Sequence, residues 1–207
     1  MSQPAKNTPS IQKPVQIRAL ASPARQEIVD ILESAGPSTI ARLAELMGRP
    51  ADALYFHVRK LLKVGLVVER ERHRDGRHVS VVYDLAWRPM RLSYATPAKP
   101  RDISRVVTSA LRLAARDFSR GIESGDAVIE GPRRTVWGAR AKGWLTATEV
   151  ARVNELLAEA AAIVRTATPR PGTQTMSVSF VLAPVRVSPR ARASAAVNKK
   201  STPQSGA

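Results

Sequence analysis

Residues 54–85, "LYFHVRKLLKVGLVVERERHRDGRHVSVVYDL", switch from one hydrophobic period to another within a few residues of Gly65. Up to Lys63 the apolar residues recur at helical spacing. At 100° per residue Leu54, Val58, Leu61 and Leu62 gather on one side, and Asp52, Tyr55, Phe56, Arg59 and Lys63 on the other. Beyond Gly65 the chain alternates, and Asp75-Gly76 is a dipeptide favoured in two-residue hairpin turns. Placing that dipeptide at the turn pairs Arg74 with Arg77, His73 with His78, Arg72 with Val79 and Arg70 with Val81. Leu66, Val68, Val79, Val81, Tyr83 and Leu85 then share a core-facing side, and the arginines crowd towards the tip. A helix running directly into a basic hairpin leaves few folds open.

Upstream, Ser22-Pro23 reads as a helix start, a capping hydroxyl followed by proline at the first helical position. Ile28, Ile31 and Leu32 carry that helix, and Gly36-Pro37 stops it. A second helix begins at Ser38 or Thr39 with Ile40, Leu43, Ala44 and Met47 on one face. Gly48-Arg49-Pro50 breaks it, and the third helix runs from Ala51 to Gly65. The order is helix, helix, helix, hairpin. In that order a last helix fits the DNA major groove and a basic hairpin reaches the neighbouring backbone.

Residues 18–87 resemble the winged helix-turn-helix of ArsR-like bacterial transcriptional regulators. The markers are "ALASPARQEIV", "LAELMG" and "HVRKLLKVGLV" running into the wing. The resemblance implies that the segment from Ala51 to Arg59 is the recognition segment and that Arg72, Arg74 and Arg77 are wing contacts. With Asp52, Tyr55, Phe56 and Lys63 on the same outward face, these form the expected DNA-binding set. Metal-sensing members of the family often use a cysteine-bearing motif. This chain has no cysteine, so thiolate sensing, disulfides and thiol catalysis are all excluded.

Charge supports a polyanionic partner without deciding it. The net charge is +16, but residues 22–86 hold ten Lys/Arg against nine Asp/Glu, and residues 87–186 hold sixteen against eight. Within residues 49–78, eight Lys/Arg face four Asp/Glu, so the basic character there is local.

Composition divides the chain into a disordered tail over 1–16, a winged domain over 17–95, a proline linker over 96–101, a second unit over 102–186 and a disordered basic tail over 187–207. The second unit reads as helix, strand, helix, strand. Ile103, Val106, Val107, Ala110, Leu111, Ala114 and Phe118 stripe the first helix, with Asp102 as its cap. "RRTVWGARAKGWLT" reads as extended, Thr146 and Glu149 form a capping box, and Val178, Phe180 and Leu182 alternate in a strand ended by Pro184. The expected class is α+β, a winged helix-turn-helix followed by a smaller α/β dimerisation or effector domain.

Trp137, Trp144 and Phe180 are the candidate lining of an effector pocket for a small molecule. No catalytic set is present: there is no glycine-rich phosphate loop and no serine elbow motif. No enzyme activity and no cofactor are expected. The first twenty residues lack a continuous apolar core, and no run approaches a membrane span. The expectation is therefore a cytoplasmic, homodimeric, sequence-specific binder of double-stranded DNA, acting as a repressor. The alternatives are a sequence-neutral architectural DNA binder and a winged-helix protein-interaction module.

Overall fold

A computed structural model describes residues 9–75 and 78–185. In order along the chain it contains α1 (Pro14–Leu20), α2 (Pro23–Ala35), β1 (Ser38–Thr39), α3 (Ile40–Met47), α4 (Ala51–Lys63), β2 (Val67–Asp75), β3 (His78–Leu85), α5 (Pro100–Glu123) and α6 (Ala147–Thr166). The fold is mixed, helices with a small antiparallel sheet ordered β1-β3-β2. The helix breaks fall where the sequence places them. Ser22 precedes Pro23 at the start of α2, Gly36 ends it with φ 81°, and Gly48 ends α3 in the left-handed region at φ 59°. Thr39 caps α3 by accepting a hydrogen bond from the Arg42 backbone N–H at 3.2 Å.

The core is one cluster. Ile17 of α1, Ile28 and Leu32 of α2, Leu43 of α3, Leu54, Val58 and Leu61 of α4, then Leu66, Val67 and Leu85 of the hairpin are nearly inaccessible. Each helix contributes the stripe its period defines, and the hairpin closes the open side.

Three sequence expectations are corrected. The hairpin register differs: Asp75 pairs with His78, Arg74 with Val79, His73 with Ser80, and Arg72 with Val81. A bulge between Glu69 and Glu71 leaves Arg70 as the extra residue. Beyond the bulge the partners are two residues on from the expected ones, whereas at the base Val67 pairs with Leu85, one residue off. That odd shift reverses the faces there, so Val67 is buried and Val68 only half so. His73 and His78 are not opposed, and Val79 is 54% exposed where the ladder runs out past the helices. Gly76, expected at the turn, lies outside the described residues.

Secondly, residues 1–16 are not a tail throughout. Ile11 is buried and bridges to Leu92, and α1 begins at Pro14. Ile17 and Leu20, three apart on one face of α1, are buried, while Val15 stays exposed. Residues 1–8 and the basic tail from 186 on lie outside the described residues.

Thirdly, the division at 96–101 does not separate two domains, because α5 packs on α1 and α2. Gln26 Nε2 donates to the Val106 carbonyl at 2.9 Å, and Arg116 Nη2 sits 2.8 Å from Glu27 Oε1. Asp102 is not the cap of α5. Lys99 holds that position, and Asp102 lies buried in the first turn, 3.8 Å from Arg18. Among the described residues no strand follows Leu85, so the α/β character expected of residues 102–186 is absent. Extended segments need a partner strand to become a sheet, and neither 133–146 nor 176–185 finds one among the described residues.

Candidate nucleic-acid interface

The turn at Gly48-Arg49-Pro50 sets α4 against α3 with its apolar side inward. The opposite side is open. Asp52, Tyr55, Phe56, Arg59 and Lys63 are all exposed, Tyr55 at 48% and Phe56 at 54%. A helix of 13 residues is about 20 Å long, enough to lie along a groove. Ala51, by contrast, packs its methyl partly against the core.

Two further features define this face. Lys60 Nζ lies 5.4 Å from the centre of the Phe56 ring, and the edge of His57 meets the same ring at 5.5 Å between centroids. The cation–π contact fixes an ammonium group in the middle of the outward side. Lys60 was missing from the expected contact set, although its i,i+4 spacing from Phe56 is legible in the sequence. Tyr55 lines a cleft of about 250 Å³ with Thr39, Ile40, Val81 and Tyr83, between the start of α3 and the wing.

His57 behaves as a structural residue. Its Nδ1 is buried without a hydrogen-bond partner, and burial, then the nearby Arg25 and Arg49, lower its pKa. It is neutral at pH 7.

The wing is anchored at its base by a carboxylate that sequence reasoning did not single out. Asp84 is 3% exposed. Its Oδ1 accepts from Arg88 Nη2 at 2.5 Å and from the Leu85 N–H at 2.8 Å, and its Oδ2 accepts from Arg70 Nε at 3.0 Å. Burial pushes the Asp84 pKa up, but the bonds from Arg88, Leu85 and Arg70 outweigh it and hold the pKa below the usual range. Arg88 also donates to the Leu32 carbonyl at 2.6 Å, so the network ties the wing to α2. The bulged Arg70 is therefore committed to the fold.

The wing arginines differ among themselves. Arg72 is paired with Glu69 at 2.7 Å, whereas Arg74 is exposed and forms no ion pair among the described residues. Arg77 lies outside the described residues. His73 contacts Glu71 at 2.9 Å. The candidate surface is thus one continuous basic and aromatic face: α4 outward, the Tyr55 cleft, then Arg74 on the wing.

Comparison with known proteins agrees with this geometry over the same stretch. Residues 20–70 match the family model of a helix-turn-helix domain. The segment is a winged helix-turn-helix. No curated protein matches the chain. Among solved structures, a MarR family regulator from Neisseria meningitidis is similar at 16% identity over 68% of this chain and 75% of that one, with a TM-score of 0.29. A mutant of ZitR from Lactococcus lactis is similar at 14% identity over 68% and 73%, with a TM-score of 0.27.

The aromatic residues expected to line an effector pocket are placed differently. Trp137, Trp144 and Phe180 are 67%, 64% and 44% exposed, and side chains so open line no enclosed cavity of a single copy. Arg134 stacks its guanidinium 3.0 Å from the centre of the Trp137 ring. Among the described residues, no helix is long and apolar enough to cross a membrane.

Proposed function

We propose that the protein is a homodimeric, sequence-specific DNA-binding repressor of transcription that works in the cytoplasm. Helix α4 enters the major groove, and the wing lies on the flanking backbone. The observation that carries the reading is the outward side of α4, where Tyr55, Phe56, Arg59, Lys60 and Lys63 are exposed together, beside a wing whose Arg74 forms no ion pair among the described residues. Arg59 is the base reader, since arginine bonds guanine in a bidentate manner. Lys60, Lys63, Arg74 and Arg77 neutralise phosphates. Ala51 offers a backbone N–H of the first helical turn, and Asp52 complements the helix dipole there.

Dimerisation draws on the unpartnered second half. The stripe of α6, Val150, Val153, Leu157, Ala160 and Val164, is only half-buried, and no residue of α6 is buried. A twofold mate would cover it, and the two recognition helices would then stand roughly 34 Å apart, one turn of DNA. Trp137, Trp144 and Phe180 would be enclosed at the same time and could form an effector pocket only in that assembly.

The test is selection of duplex DNA by the purified protein at about 150 mM salt, where the non-specific phosphate contribution is reduced. The expected product is an inverted repeat. Binding without enrichment would instead favour an architectural protein, and absence of binding a protein-interaction module.

A further inference from the structure

A second basic surface lies away from α3, α4 and the wing. Helix α5 and the corner between α1 and α2, at Ala21 and Pro23, enclose an open groove of about 530 Å³. Its α5 wall carries Arg101, Ser104, Arg105, Thr108, Ser109 and Arg112. These positions share one helical face, since spacings of three, four, seven and eleven return to the same side. No acidic residue lines the groove.

The charge there is uncompensated. Arg101, Arg105 and Arg112 are exposed, and none makes an ion pair among the described residues. Arg116, on the same helix, pairs with Glu27 and Asp117, and Asp102 is turned to Arg18. Arg101 and Arg105 repel each other at i,i+4. Arg101 also stands in the first turn of α5, the end at which a helix favours anions over cations. Pro23, the first residue of α2, lines the same groove.

An independent observation comes from Ser109. It is 3% exposed, and its Oγ is buried without a hydrogen-bond partner. A helical serine ordinarily bonds back to the carbonyl three or four residues earlier. Here the Val106 carbonyl accepts from Gln26 instead. Ser109 lines the groove beside three arginines that form no ion pair among the described residues, and its unpartnered hydroxyl is a donor in search of an acceptor.

We propose that this groove binds a small, multiply charged phosphate compound, held by Arg101, Arg105 and Arg112 with the Ser109 hydroxyl. The volume lies within the range of small-molecule sites. The inference does not rest on the DNA reading, because it concerns residues outside that face.

Calorimetric titration of the full chain with inorganic pyrophosphate, at ionic strength fixed by chloride, tests it. One saturable site per chain is expected. Arg105→Ala with Arg112→Ala should weaken it about tenfold or more, the loss of charge-assisted hydrogen bonds. Ser109→Ala should weaken it while leaving every charge in place, and Arg59→Ala on α4 should leave it unchanged. The same variants are titrated with duplex DNA. Equal pyrophosphate binding by the wild type and the double variant would overturn the site. So would a double variant that loses duplex affinity while pyrophosphate displaces the duplex from the wild type, because the groove would then be a contact for DNA backbone.

Discussion

Residues 9–123 and residues 124–185 are patterned alike and end differently. The first region buries whole side chains from every helix. The second, with a 20-residue helix of clear periodicity, contains no buried residue at all. Helix α6 is the best capped in the molecule. Thr146 Oγ1 accepts from the Glu149 N–H at 3.3 Å, and the Glu149 carboxylate accepts from the Thr146 N–H at 2.7 Å. A cap is satisfied by residues three apart, whereas a stripe is satisfied only by another surface. The difference teaches that α6 is specified locally and its partner is not supplied by the described chain.

The largest effect that would sharpen this contrast is in the core. Leu61→Ala should destabilise by about 2–5 kcal/mol, because Leu61 is fully buried. Leu157→Ala should leave the unfolding transition of dilute protein nearly unchanged, within about 0.5 kcal/mol. Denaturant unfolding of both variants at two protein concentrations separates intrachain packing from packing against a second copy. A large loss for Leu157→Ala, independent of concentration, would break the comparison.

Next in size is the wing anchor. Asp84→Ala strands Arg88 and Arg70, which are part-exposed and can re-solvate, so a cost of about 2–3 kcal/mol is expected. The Asp84 pKa is held below 3.8, its unperturbed value. Its contribution is therefore present at neutral pH and falls away as acid carries the pH down through the folded-state pKa. The wild type should lose this increment on acidification below about pH 4, and Asp84→Ala should show a correspondingly flatter profile in that range.

On the DNA face, Arg59→Ala should lower affinity for a selected site by about 1–3 kcal/mol and relax base choice at one position. Arg74→Ala should weaken all sequences alike and lower the salt slope by about one. Equal behaviour of the two would remove the distinction between helix and wing. Thr146→Ala should cost about 1 kcal/mol, seen as fraying of α6 by hydrogen exchange with no change at α4.

Much of the winged domain was legible because its signals are local. Ser22-Pro23, Thr39, Gly48 and Gly65 mark helix boundaries through their own backbone chemistry, and the stripe of α4 shows which side must face out. The exposed set Asp52, Tyr55, Phe56, Arg59 and Lys63 followed from that stripe alone. The rest depended on distant partners. Asp84 looks like any polar strand residue until Arg70 reaches it from the neighbouring strand. Asp102 passes for a cap until Arg18 stands opposite it.

The sequence by itself determined where helices start and stop, which faces are apolar, and that no thiol chemistry is available. Tertiary structure alone decided the wing register, with its bulge at Arg70, and the docking of α1 and α5 onto one core. It also decided which stripes are buried. The reason is physical: caps and periods are properties of neighbours along the chain, whereas burial and ion pairing require a second surface that only folding, or a second copy, brings into place.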